Sequence, residues 1–337
     1  MHVDGTILAG RDLDPVEGRV VVEDGRIAAV EEARVESTDV VLPAFVNAHT
    51  HVGDSIAKEA GAGLSLDELV APPDGLKHRL LRSASDEELV GAMRRSLRYM
   101  RTGGTGAFLE FREGGSAGVR LLDRAVEGLD LEPVVLGRGS IDVLASADGY
   151  GASGARDADF TREREATREA GKLFGIHAGE RDPDDIDAAL DLDPDFLVHL
   201  VHARERHLDV IEERRIPAVV CPRSNLVTGV GVPPIEELLD RTTVALGTDN
   251  VMMNAPSMFR EMEFVAKLTD LDAPEVLRAA TAAGAEVAGL NCGVVEPGRE
   301  ARLLVLDGDS DNLAGARDVV RAVVRRAGVS DVKRVLL

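Results

Sequence analysis

Four short apolar runs in this chain, at 42–51, 173–177, 196–199 and 244–249, each close on a residue able to bind a metal ion. Runs of this length suit strands buried on both faces, as found where helices cover both sides of a parallel sheet. Polar residues gathered at the C-terminal ends of parallel strands describe the active face of a closed (β/α)8 barrel. Such a barrel takes about 250 residues. The chain has 337, which leaves room for one small additional domain.

The first run ends Asn47-Ala48-His49-Thr50-His51. Residues i and i+2 of a strand share a face, so His49 and His51 can aim two imidazoles at one point. Alone, the pair reads equally as hydrogen-bonded core histidines. His177, His199 and Asp249, each at another strand end, favour a metal site. Three or four nitrogen and oxygen donors with one open position suit zinc or another borderline divalent ion. Glu180 follows His177 by three residues and sets a proton carrier beside a ligand; its other reading is a surface acid at a helix start. Asp249 could instead cap the next helix. His2, His78 and His207 lie outside any strand end and read as structural.

Five motifs combine these residues: Pro43-Ala44-Phe45-Val46-Asn47-Ala48-His49-Thr50-His51, His177-Ala178-Gly179-Glu180, Val198-His199-Leu200-Val201-His202, Cys221-Pro222-Arg223-Ser224-Asn225 and Leu246-Gly247-Thr248-Asp249-Asn250. Over nearly the whole chain they resemble the amidohydrolase superfamily, in its branch of metal-dependent deaminases and chlorohydrolases. The resemblance implies that His49, His51, His177 and Asp249 bind the metal. It implies that Glu180, His199 and Asp249 handle protons, with His202 in a supporting place. Ser224 and Asn225 match an element that orders a loop over the site. Some relatives hold a second metal bridged by a carboxylated lysine at the end of the fourth strand. No lysine occurs between Lys77 and Lys172, so a single ion is expected, zinc with iron as the alternative.

The implied chemistry starts from water made acidic by the metal. Asp249, assisted by His199, takes its proton, and Glu180 protonates a ring nitrogen of the substrate. Deamination of an N-heterocycle or nucleoside-like compound is the expected reaction. Cyclic amide hydrolysis or chlorohydrolysis on the same site is the alternative, and a catalytically silent binding barrel is the rival outside enzyme chemistry.

A formal net charge of −21 and a pI near 4.8 argue against nucleic acid or an anionic membrane as partner. Of 39 lysines and arginines only five are lysine: Lys58, Lys77, Lys172, Lys267 and Lys333. Such acid-rich, lysine-poor composition suits a high-salt cytoplasm, where salt screens self-repulsion; a GC-rich genome accounts for the arginine but not for the acid excess. Two cysteines outside any C-x-x-C motif read as reduced and intracellular. No signal peptide or membrane span is expected. The expected partner is a small molecule, and a homodimer is the prior for assembly. Arg112, Arg138 and Arg223, near the ends of apolar runs, read equally as contacts for an anionic substrate and as partners of Glu110, Glu113 and neighbouring acids. Ser224 and Asn225 join them as candidate substrate contacts. Tryptophan is absent. Phe45, Phe108, Phe111 and Phe259 are the rings available to stack on a heterocycle, and they read equally as core.

Residues 1–40 alternate β-branched runs with turns, and Asp24-Gly25 is a hairpin signal. With 296–337 they are expected to form a small β-sandwich beside a barrel at 41–295. Strands are predicted at 41–48, 105–111, 132–137, 140–146, 173–177, 195–199, 216–220 and 243–248. Helices are predicted at 86–102, 116–128, 157–171, 204–214, 257–270 and 273–288. The glycine-rich stretch 148–154 reads as a loop.

Overall fold

Nine short parallel strands curl round a common interior in the computed structural model, which describes residues 1–71 and 74–336. Four strands precede them or share their start: β1 (His2–Ala9), β2 (Asp14–Glu23), β3 (Arg26–Glu32) and β4 (Val40–Pro43). The barrel strands are β5 (Phe45–His51), β6 (Thr105–Arg112), β7 (Glu132–Gly137), β8 (Gly149–Ala152), β9 (Leu173–Ala178), β10 (Phe196–His199), β11 (Ala218–Val220), β12 (Val244–Leu246) and β13 (Asp249–Asn250). They pair in the order β12-β11-β10-β9-β8-β7-β6-β5-β13. β12 and β13 are two halves of one strand interrupted at Gly247-Thr248. Gly247 N–H donates to Val220 and Thr248 N–H to His49, so the interruption bonds to both neighbours and brings the sheet round onto itself. A Cβ at Gly247 would lie 2.7 Å from that of His49, a closeness only glycine permits.

Alternate side chains of the strands face different clusters. Ala107, Leu109 and Phe111 of β6 join one cluster, while Phe108 joins another with Met93, Leu97 and Met100 of the Asp86–Thr102 helix. That helix begins at a reciprocal Ser85–Glu88 capping box, which satisfies two otherwise open backbone donors.

The two ends of the chain meet in a sheet of six strands, β15-β14-β4-β1-β2-β3, with β14 at Leu303–Leu306 and β15 at Val332–Leu336. The segments from the two ends join there as one hydrogen-bonded sheet. Asp24 and Gly25 turn with φ of 48° and 73°, the positive values that a tight hairpin between right-twisted strands requires.

Three sequence expectations need correction. The strand expected at 41–48 is two strands, β4 in the terminal sheet and β5 in the barrel, which part at Ala44. The strand expected at 140–146 is a 3-10 turn, Ile141–Ala145, and the fourth barrel strand is β8 inside the stretch read as a loop. Its glycines are packing residues: a Cβ at Gly149 would meet Leu173 O at 2.3 Å, and one at Gly151 the Phe111 ring at 2.7 Å. The helix expected at 273–288 breaks into Ala273–Ala279 and Ala282–Ala288, and at the break Ala280 O accepts from Val46 of β5.

Candidate metal centre and active site

The C-terminal ends of β5, β9, β10 and β13 bring His49, His51, His177, His199 and Asp249 together, all buried. Donor atoms lie within 4.8 Å of one another in three overlapping sets: His49 with His177 and His199, His49 with His51 and Asp249, and Glu180 with His199 and Asp249. His49 Nε2 stands 3.2 Å from His177 Nε2 and 3.3 Å from Asp249 Oδ1, and His51 Nε2 lies 3.6 Å from the same Oδ1.

Hydrogen bonds behind the rings set which nitrogen is bare. His177 Nδ1 donates to Ala152 O at 2.8 Å, and His51 Nδ1 faces two acceptors, Phe111 O and Glu113 Oε1, each at 3.1 Å. Both rings therefore turn an unprotonated Nε2 inward. Burial pushes all three imidazoles toward neutrality: His51, with help from the Lys77 charge, falls to about 3, His49 is lowered, and His177 is held well below its usual range. Bare lone pairs and a carboxylate oxygen crowded in an apolar surround repel one another, and a cation among them relieves that repulsion. The donor set fits a divalent ion.

The two carboxyls nearest this centre are driven apart. Burial opposes ionisation of Asp249, but the hydrogen bond to His49 and the neighbouring imidazoles outweigh it and hold the group well below the usual carboxylate range. Burial raises Glu180, with His199 pulling the other way; its Oε2 lies 3.6 Å from His199 Nε2. His199 (φ 80°), Leu200 (φ 55°) and Asp249 (φ 57°) occupy the left-handed region, where non-glycine residues carry strain. Two site residues thus emerge from turns sharper than the strands that lead to them.

A cavity of about 570 Å³ opens over these groups and includes His51, His177, Glu180, His199 and Asp249 in its wall. Of the five residues expected to touch substrate, only Arg138 lines it. Arg112 is buried behind the wall and donates through Nε to Gly118 O. Arg223 binds Glu261, Asn254 and the Ala255 carbonyl. Ser224 donates to Asp249 Oδ2 at 2.6 Å, and Asn225 Nδ2 lies 3.2 Å from His199 Nδ1, so both brace site residues from outside the cavity. His202 is off the wall, its backbone N–H bonded to Gly179 O.

Phe45, Phe108, Phe111 and Phe259 are core. Phe111 packs edge-on against His49 and His177, with centroids 4.6 and 5.0 Å away. The rings on the cavity wall are Tyr150 and Phe160, which the sequence reading passed over. It gave no site role to Lys77 and read His78 as structural, yet the helix Leu76–Ser83 carries both to the wall, where Glu113, expected only as an arginine partner, also lies. A lysine among the few of an acidic chain was the one available signal. Among the described residues no helix is long and apolar enough to cross a membrane.

Residues 40–181 and 159–330 match the model of the amidohydrolase family. The chain is similar to a Methanothermobacter thermautotrophicus protein provisionally named an aminohydrolase, at 36% identity over 350 aligned positions covering 90% of each. It is 26% identical to the 5-methylthioadenosine/S-adenosylhomocysteine deaminase of Halobacterium salinarum, covering 100% of this chain and 89% of that one. Among solved structures, an adenosine deaminase from Xanthomonas campestris with bound zinc superposes with a TM-score of 0.81 at 19% identity, covering 100% of this chain and 91% of that one.

Proposed function

The chain belongs to the amidohydrolase family, and from that premise we propose that it is a metal-dependent aminohydrolase releasing ammonia from an N-heterocycle or nucleoside-like compound. The observation that carries this reading is the convergence of the His49, His51 and His177 imidazoles with Asp249 at the base of a cavity that His51, His177, Asp249 and Glu180 line. Those four residues would hold one divalent ion, and the zinc in the adenosine deaminase of the same fold supports zinc over iron. When bound, the ion supplies Lewis acidity, which makes water nucleophilic near neutral pH.

Asp249, ionised well below neutrality, takes the proton of the attacking water. Glu180, whose protonated form burial favours, gives a proton to the ring nitrogen beside the carbon under attack. His199, close to both, passes protons between them. Ammonia as leaving group is supported by similarity to a provisionally named aminohydrolase and a deaminase. Residues 41–295 would act as the catalytic domain, with 1–40 and 296–337 as the small one. The acid excess supports a cytoplasm of high salt, and a homodimer is the expected assembly.

The test is metal analysis of the purified protein at high salt, followed by ammonia release from purines, pyrimidines, pterins and their nucleosides and phosphates. About one zinc per chain with ammonia from one substrate supports the reading. A metal-free protein overturns the ligand set; a loaded protein that releases no ammonia overturns deamination and turns the search to cyclic amides.

A further inference from the structure

We propose that the cavity wall formed by Lys77, Arg138 and the start of the Gly115–Val126 helix binds an oxyanion carried by the substrate, a carboxylate or a phosphate. The inference rests on the aminohydrolase reading for the remainder of the substrate.

The chain is strongly acidic as a whole, yet one carboxylate here serves three cations. Lys77 Nζ lies 2.6 Å and Arg138 Nη1 3.4 Å from Glu113 Oε1, while Arg112 Nη1 is 3.8 Å from Oε2. Lys77 is 3% exposed, and its ammonium has three N–H groups. Among the described residues two acceptors meet them, Glu113 Oε1 and, at 3.2 Å, Asn250 Oδ1. The third is left for a ligand in the cavity that Lys77 lines, since an unpaired buried donor is costly.

Arg138 is in the same position. Its Nε donates to Gly151 O at 2.7 Å and Nη1 reaches Glu113. Nη2 faces His177 Nδ1 at 3.5 Å, but that nitrogen already donates to Ala152 O and cannot accept. The Nη2 hydrogens therefore have no acceptor among the described residues. Because Lys77 and Arg138 both reach the same Oε1, a two-oxygen anion can span them.

Backbone donors complete the wall. Gly114 and Gly115 line the cavity at the start of a twelve-residue helix that has no side-chain cap and no acid in its first turn. The open N–H groups and the helix dipole there favour an anion. Arg156 and Arg181 also line the cavity, but each already pairs with its own carboxylate, Asp182 and Asp67.

The experiment is calorimetric titration of the zinc-loaded full chain with inorganic phosphate and, separately, with benzoate, in wild type, Lys77→Met and Arg138→Gln. Zinc content and circular dichroism establish that each variant is folded and loaded; Arg138, the more exposed, keeps the test open if the lysine variant does not fold. Saturable binding of either probe that weakens at least tenfold in the folded variants supports the site, and the probe preferred separates phosphate from carboxylate substrates. Absence of binding to wild type, or binding unchanged in the variants because the anion sits on the metal, overturns it. The readout is binding, so it stands or falls apart from ammonia release.

Discussion

Ser224 Oγ donates a 2.6 Å hydrogen bond to Oδ2 of Asp249, while Oδ1 of the same carboxylate faces His49 Nε2 at 3.3 Å. The hydroxyl leaves the carboxylate one way to present Oδ1 to the metal donors. Ser224→Ala should therefore lower zinc affinity or kcat/KM about tenfold with little change in fold. Chelator competition and steady-state kinetics check it; wild-type values in both would show that the bond is incidental.

Gly151 touches the site through one ring. A methyl there would lie 2.7 Å from Phe111 Cγ, and Phe111 supports His49 and His177 edge-on. Gly151→Ala should cost about 1–3 kcal/mol of stability through overpacking and weaken zinc retention as the ring shifts. Denaturant unfolding with parallel metal analysis reads both.

That glycine also marks where sequence reading stopped. β7 and the Asp86–Thr102 helix fall on the predicted residues because β-branched runs and a Ser–Glu capping box carry their own local signals. β8 does not. Gly149 and Gly151 sit in a strand because Leu173 and Phe111 leave no space for a side chain, a fact about distant partners that looks like a loop from nearby residues. The break at Ala44 was masked by a run, 40–51, that is buried throughout, although Pro43, which has no N–H to give a sheet ladder, stands directly before it. In the site, strand-end histidines were legible because period and position fix them. Arg112 and Arg223 stood near the right ends of apolar runs, but their guanidiniums turn to Gly118 and Glu261. Lys77 arrives from a helix between the first two barrel strands, and nothing local announces where such a helix lies.

Glu110 ties the same region to pH. Its Oε2 accepts from Val52 N–H at 2.7 Å and lies 2.8 Å from Thr50 Oγ1, which also reaches Leu109 O. Burial raises this carboxyl to about 7 despite the Arg112 charge, from 4.5 in an unstructured chain. The native state then binds more protons than the unfolded state between those pH values, so Glu110 makes stability fall as pH rises through that window. The effect is about 3 kcal/mol across it. Unfolding free energies from pH 4.5 to 8 should show this decline in wild type relative to Glu110→Gln, whose curve lacks that contribution. Parallel curves would place the proton elsewhere.

Glu180 offers the sharpest test of the chemistry. It faces the cavity, stands 3.6 Å from His199, and is raised by burial, so its protonated form persists where an ordinary carboxyl has ionised. A group acting as acid is needed protonated, so turnover should decline as pH rises through its elevated pKa. Glu180→Gln keeps the size and hydrogen-bonding reach of the side chain but has no proton to give. Since His49, His51, His177 and Asp249 are untouched, zinc content should stay at the wild-type value. Meanwhile kcat should fall about 100-fold or more, and the alkaline decline assigned to Glu180 should disappear from the residual activity. Near-full turnover with zinc in place would remove Glu180 from the proton path and turn the assignment of the acid to His199, which stands beside Asp249.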